Sequence, residues 1–125
     1  MSPRIVVVTG DGERLNILID TLNGAGYLAS GACTFAEGKR LVESKSPDLV
    51  IADERLGPFN GLHLIVVSRA RHPGLKAILT SHVRDTVLEK DARRLDVECL
   101  VEPAEASEWL SSVSSTLDRA REVVH

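Results

Sequence analysis

Four short segments gather side chains that could do chemistry: Thr9-Gly10-Asp11, Asp53-Glu54-Arg55, Thr80-Ser81-His82 and Glu102-Pro103. Carboxylates, hydroxyls and guanidinium groups in this mixture suit the handling of a divalent cation or an oxyanion. Carboxylates draw such cations from water, and arginine pairs with oxyanions through a planar fork of donors. Two like charges brought into one pocket also raise the pKa of at least one of them. Asp53 and Glu102 face that problem if the fold brings them together, and Asp11 adds to it. Other chemistry finds little support. Gly10-Asp11-Gly12 resembles the start of a phosphate-binding loop but lacks the third glycine and the lysine of such loops. Cys33 and Cys99 form no CxxC pair and read as small buried side chains, and His63 and His82 have no partner at metal-ligand spacing.

Composition narrows the setting. A chain of 125 residues is the size of one domain, so a single domain over 1–125 is expected, with no length left for an output domain. Apolar residues at 43% and charged residues at 26% are the mix of a packed globular domain. A formal net charge of -3 and scattered arginines supply no field for nucleic acid or an anionic membrane, and 3% aromatics provide no stacking platform for bases. Apolar runs such as Ile5 to Val8 are strand-sized, far below the roughly 20 residues that cross a bilayer. Met-Ser-Pro-Arg at the start lacks the apolar stretch of a signal peptide, so a cytoplasmic location is expected.

The elements that must position these residues follow from periodicity. Ile5–Val8, Leu49–Ala52, Ala77–Leu79 and Cys99–Val101 are near-continuous apolar runs, which predict parallel strands buried on both faces. Leu28–Thr34 is a weaker fifth strand, diluted by Gly31. Between them lie helical stripes. The first runs from Arg14 to Leu22 and stops at Asn23-Gly24-Ala25-Gly26, and the second opens with a capping box at Thr34 and Glu37 and ends at Ser46-Pro47. Asn60 is expected to cap a third, ending near His72-Pro73-Gly74, and Asp85 a fourth, running to Leu95. The last spans about Glu105 to Val123, with Trp109, Leu110, Val113 and Leu117 on one face. Strand and helix thus alternate five times, the pattern of an α/β fold with a doubly wound five-stranded parallel sheet. Such folds place their sites beyond the carboxyl ends of the strands, where all four chemistry-bearing segments lie.

At this point the chain resembles the response-regulator receiver domain, a (βα)5 flavodoxin-like fold. The stretch Pro47-Asp48-Leu49-Val50-Ile51-Ala52-Asp53, with the loop to Gly61, is similar to that family's third strand and acceptor aspartate. Ala77-Ile78-Leu79-Thr80-Ser81 resembles its fourth strand with the switch hydroxyl, and Gly26-Tyr27 its turn after the first helix. The resemblance implies phosphorylation of Asp53 by a histidine kinase or phosphotransfer protein, support from Thr80, and a Mg2+ ion held by an acidic pair after the first strand. It also implies that a homodimer or target protein docks on the face of the fourth helix, fifth strand and last helix, and that the domain is a signalling module rather than an enzyme.

The chain departs from that pattern in several places. Thr9 and Gly10 stand where the acidic pair is expected, Glu102 replaces a lysine ahead of Pro103, and Cys99 replaces an aromatic. Phosphoryl transfer depends on neutralising the transferring oxygens, so these departures weaken both the Mg2+ site and the phosphate site. Three arrangements would relieve the Asp53–Glu102 repulsion. Arg55 or Arg84 could pair with Glu102, Asp53 with Glu102 and Asp11 could hold a metal in a rearranged geometry, or one carboxyl could stay protonated. The departures also open a second reading, a phosphorylation-independent pseudo-receiver acting by protein contact, and a third of another class, a small flavodoxin-like cofactor-binding protein.

Overall fold

The computed structural model describes residues 2–122. Five strands, β1 (Arg4–Val8), β2 (Leu28–Ala32), β3 (Leu49–Asp53), β6 (Lys76–Ser81) and β7 (Glu98–Val101), form one parallel sheet in the order β2-β1-β3-β6-β7. A second, two-stranded antiparallel ribbon pairs β4 (Arg55–Leu56) with β5 (Phe59–Asn60). The helices are α1 (Gly12–Gly24), α2 (Phe35–Lys45), α3 (Gly61–Arg71), α4 (Thr86–Arg94) and α5 (Ala106–Glu122). The doubly wound five-stranded α/β fold expected from the sequence is the fold observed.

Side chains alternate across each central strand, so one apolar run feeds two cores. Val6, Val8, Val50, Ala52, Ala77 and Leu79 face Val42 of α2, Leu64 and Ile65 of α3, and Ala92 of α4. Ile5, Val7, Leu49, Ile51 and Ile78 face Leu15, Leu18 and Leu22 of α1 and Trp109 and Val113 of α5. Trp109 is therefore core. Gly31, which dilutes the β2 pattern, lies under α1, where a Cβ would come within 2.5 Å of Ile19 Cδ1.

Capping oxygens sit where expected, satisfying the first free N–H groups of each helix. Thr34 accepts from the Glu37 amide at 3.1 Å, Asn60 from His63 at 2.7 Å, and Asp85 from Val87 and Leu88 at 3.0 and 3.2 Å. Three expectations need correction. α1 starts at Gly12, two residues before the expected start, because Asp11 caps it. Cys33 is exposed rather than buried, since it follows the edge strand β2. The β4–β5 ribbon was read as loop, its two-residue strands being too short to show a period. Val123, the expected end of the last helix, lies outside the described residues.

Gly61 opens α3 directly behind Asp53, and its amide donates to the Glu54 carbonyl at 3.0 Å. A Cβ there would stand 2.1 Å from the Asp53 carbonyl oxygen, an approach only backbone movement can relieve. Gly61→Ala is therefore expected to destabilise the fold by about 1–3 kcal/mol, read as a lowered urea midpoint at unchanged m.

Candidate functional site

The site is built where the strand order reverses, between the carboxyl ends of β1 and β3. Val8 pairs in register with Ala52, so Thr9 and Asp53, the next residue of each, emerge side by side. Asp53 is in register with Thr80 on the neighbouring strand, and both side chains rise from the same end of the sheet. Glu102 leaves the end of β7, held by its amide to the Ser81 carbonyl at 2.7 Å, and the Glu102–Pro103 peptide is cis. Sequence reasoning thus brings Asp53, Thr80 and Glu102 to one place, and the structure does so too.

The cation between them is Arg14. Helical side chains lean toward the helix N-terminus, so a residue in the first turn of α1 reaches back over the strand ends. All five N–H donors of its guanidinium find acceptors in the pocket. Nε donates to Glu102 Oε1 at 3.1 Å. Nη1 donates to Thr9 Oγ1 and Asp53 Oδ2, each at 3.1 Å. Nη2 donates to Asp53 Oδ1 at 2.7 Å and Thr80 Oγ1 at 3.3 Å. The two hydroxyls pass their own protons on, Thr9 to Asp53 Oδ2 and Thr80 to Asp53 Oδ1, both at 2.5 Å. Each oxygen of Asp53 therefore accepts two hydrogen bonds, which fills the four lone-pair sites of the carboxylate. The second oxygen of Glu102 accepts from the Ala104 amide at 3.1 Å.

This network decides the protonation state. Burial works to raise the Asp53 carboxyl, but hydrogen bonds from Arg14, Thr80 and Thr9, together with the Arg14 charge, outweigh it and hold the group below the ordinary carboxylate value. Burial likewise works to lower Arg14, and Asp53 and Glu102 reverse the balance and raise it. The expectation that repulsion would leave a carboxyl protonated is overturned for Asp53, because a fork of donors lies between the two acids.

The other expected solutions are corrected in the same way. Arg55 lies exposed on β4 at the rim of a hollow of about 370 Å3 beside Asp53, and Arg84 reaches Glu89 at 3.9 Å; neither pairs with Glu102. Asp11 spends a carboxylate oxygen on capping α1, accepting from the Arg14 amide at 3.2 Å. Among the described residues no three acidic, histidine or cysteine side chains converge as a metal site. The donor set does not suit Mg2+: a neutral hydroxyl and a glycine replace the acidic pair, and a guanidinium already covers both oxygens of Asp53. Arg14 itself was missed because it read only as the first residue of an amphipathic stripe. Its signal is its place, three residues after the helix-capping Asp11 and just ahead of the buried Leu15.

The site is thus an aspartate at the end of the central strand β3 with a hydroxyl in register on the neighbouring strand β6. No protein-family model matches the chain. Solved structures do. A CheY-like response-regulator receiver domain from Methanospirillum hungatei superposes with a TM-score of 0.90 at 21% identity, covering 98% of each chain. The signal receiver domain of an HD domain-containing protein from Pseudomonas fluorescens gives a TM-score of 0.88 at 22% identity, covering 98% of this chain and 99% of that one. A two-component response regulator from Clostridium difficile gives 0.86 at 18% identity, covering 94% and 98%. The chain shares the CheY-like receiver fold of these structures. In sequence it is 27% identical over 105 residues to the photosynthetic apparatus regulatory protein RegA of Cereibacter sphaeroides, matching 83% of this chain. The chain spans about 57% of that relative's length. No helix among the described residues is long and apolar enough to cross a membrane.

Two outcomes follow from the charge network. Arg14→Ala leaves two poorly exposed carboxylates without their shared donor and is expected to destabilise the fold by about 1–3 kcal/mol in urea titration at neutral pH. The folded Asp53 value lies below the unfolded one, so its contribution is fully present above the unfolded value and is lost as pH falls through the folded value. Stability measured by urea titration should therefore drop below about pH 4, and Asp53→Asn should flatten that drop.

Proposed function

We propose that the chain is a signalling receiver module that acts by protein contact, with Asp53 in the acceptor position but held closed, so that its binding surface does not depend on a phosphoryl cycle. The observation that carries this reading is the saturation of Asp53. Attack on a phosphoryl group needs a free lone pair on a carboxylate oxygen. Here each oxygen accepts one bond from Arg14 and one from a threonine hydroxyl. The module is read as a binding element rather than an enzyme.

The surface proposed for contact is the face of α4, β7 and α5, where a target protein or a second copy would dock. Val87 of α4 and the preceding Val83 support it, being 68% and 70% exposed, against the rule that such side chains are buried. A histidine kinase or phosphotransfer protein is read here as a contact partner rather than as a phosphoryl donor, and the regulatory name of the RegA relative agrees with a role in signalling. A cytoplasmic location and a single receiver domain over residues 1–125 belong to the same proposal.

Acetyl phosphate with Mg2+, read by intact mass, tests it. The wild type is expected to show no adduct. A phosphoryl adduct on the wild type that disappears in Asp53→Ala would establish Asp53 as a working acceptor and overturn the closed-pocket reading.

A further inference from the structure

We infer that Arg14 is a tethered cation that takes the place of a bound divalent ion in this pocket, that Glu102 is the residue that positions it, and that the pair keeps Thr80 in its Asp53-bonded rotamer without any ligand. The inference deepens the closed-pocket reading and rests on its placement of Asp53.

Three features of the geometry lead to it. The first is completeness. A guanidinium with five donors meets five acceptors from four residues, all supplied by the ends of β1, β3, β6 and β7. Surface arginines that drift against a carboxylate do not show this; the arrangement fixes both the position and the plane of the group. The second is the charge sequence. Two carboxylates flank one cation, Asp53 at 2.7 Å and Glu102 at 3.1 Å, in a pocket where neither acid has another ion-pair partner among the described residues. A divalent ion would have to displace Arg14 from Asp53 and would find Thr9 and Gly10, not carboxylates, beyond it. The third is anchoring. Glu102 is 7% exposed, and its other oxygen is tied to the Ala104 amide at 3.1 Å, so it holds Nε and orients the two Nη groups toward Asp53 and Thr80.

The consequence runs through Thr80. Its hydroxyl is buried, receives Nη2 and donates to Asp53, which places it inside the pocket. The next residue, Ser81, accepts the Glu102 amide on its carbonyl and bonds the Val83 carbonyl with its hydroxyl at 2.8 Å, so the segment leading to α4 is tied to the same cluster. Arg14 and Glu102 therefore set the state of the loop that carries Val83. A lysine at position 14 keeps the charge but not the fork, because one ammonium cannot serve both carboxylates and both hydroxyls in a plane.

NMR of the intact 125-residue chain, labelled with 15N and 13C, tests the inference. Mn2+ is added to the wild type as a paramagnetic probe, and side-chain resonances are compared in Arg14→Ala, Arg14→Lys and Glu102→Gln, each first shown to be folded by circular dichroism. In the wild type, Mn2+ at millimolar concentration is expected to cause no selective broadening at the Asp53 and Thr80 amides, and the Arg14 Nε–H to give a sharp, slowly exchanging signal. Glu102→Gln should broaden that signal, and Arg14→Lys should move Thr80 from one sharp set of resonances to exchange between rotamers. Selective broadening around Asp53 by Mn2+ in the wild type overturns the inference, as does a Thr80 spectrum unchanged in Arg14→Lys. An Arg14 Nε–H signal unchanged in Glu102→Gln overturns the positioning role. If Arg14→Ala fails to fold, the lysine and glutamine variants decide the matter alone. A phosphoryl adduct formed on the wild type with EDTA present overturns the closed-pocket reading but supports Arg14 as the working cation. An adduct formed only with Mg2+ overturns both.

Discussion

Asp53 and Glu102 come from strand ends on either side of β6, and the fold gives them a common, largely buried pocket. Like charges brought into one partly desolvated pocket repel and cost stability unless a cation is placed with them. One guanidinium between them turns that repulsion into two attractive contacts. The hydroxyls of Thr9 and Thr80 are drawn into the same arrangement, each accepting from the cation and donating to the anion. Removing any one member leaves the others with unmatched charge or unmatched hydrogen-bonding capacity, so the cluster behaves as a unit.

Secondary structure supplies the accuracy such a cluster needs. The parallel register aligns Asp53 with Thr80, and β1 sets Thr9 beside them. The cap at Asp11 fixes where α1 starts, and Leu15, Leu18 and Leu22 fix how α1 lies on the sheet; together they determine where Arg14 can reach. On the other side of Asp53, the absence of a side chain at Gly61 lets α3 begin against the Asp53 backbone. The chemistry of the pocket is therefore a consequence of how tightly helices pack on a sheet buried on both faces.

The cluster also joins the pocket to the surface. Thr80 lies inside it, and Ser81 and the loop to Val83 follow directly. The cation that organises this cluster is a side chain of the protein, Arg14.

Much of this was legible in the sequence. Continuous apolar runs announced strands covered on both faces, Thr34, Asn60 and Asp85 announced helix starts, and the alternation of elements put Asp53, Thr80 and Glu102 at one end of the sheet. These signals are local, set by side-chain period and by the capping of backbone N–H groups, so a linear reading captures them. The identity of the cation was not legible. Arg14 is 39 residues from Asp53 and 88 from Glu102, one of 15 basic residues, and Arg55 and Arg84 looked equally able to reach. Only the packing of α1 on the sheet selects among them, and that packing depends on the whole core. The sequence by itself determined the fold and the acidic, hydroxyl-bearing end where a site must lie. The tertiary structure alone decided which charge closes it, because ion pairing depends on distance in space and not along the chain.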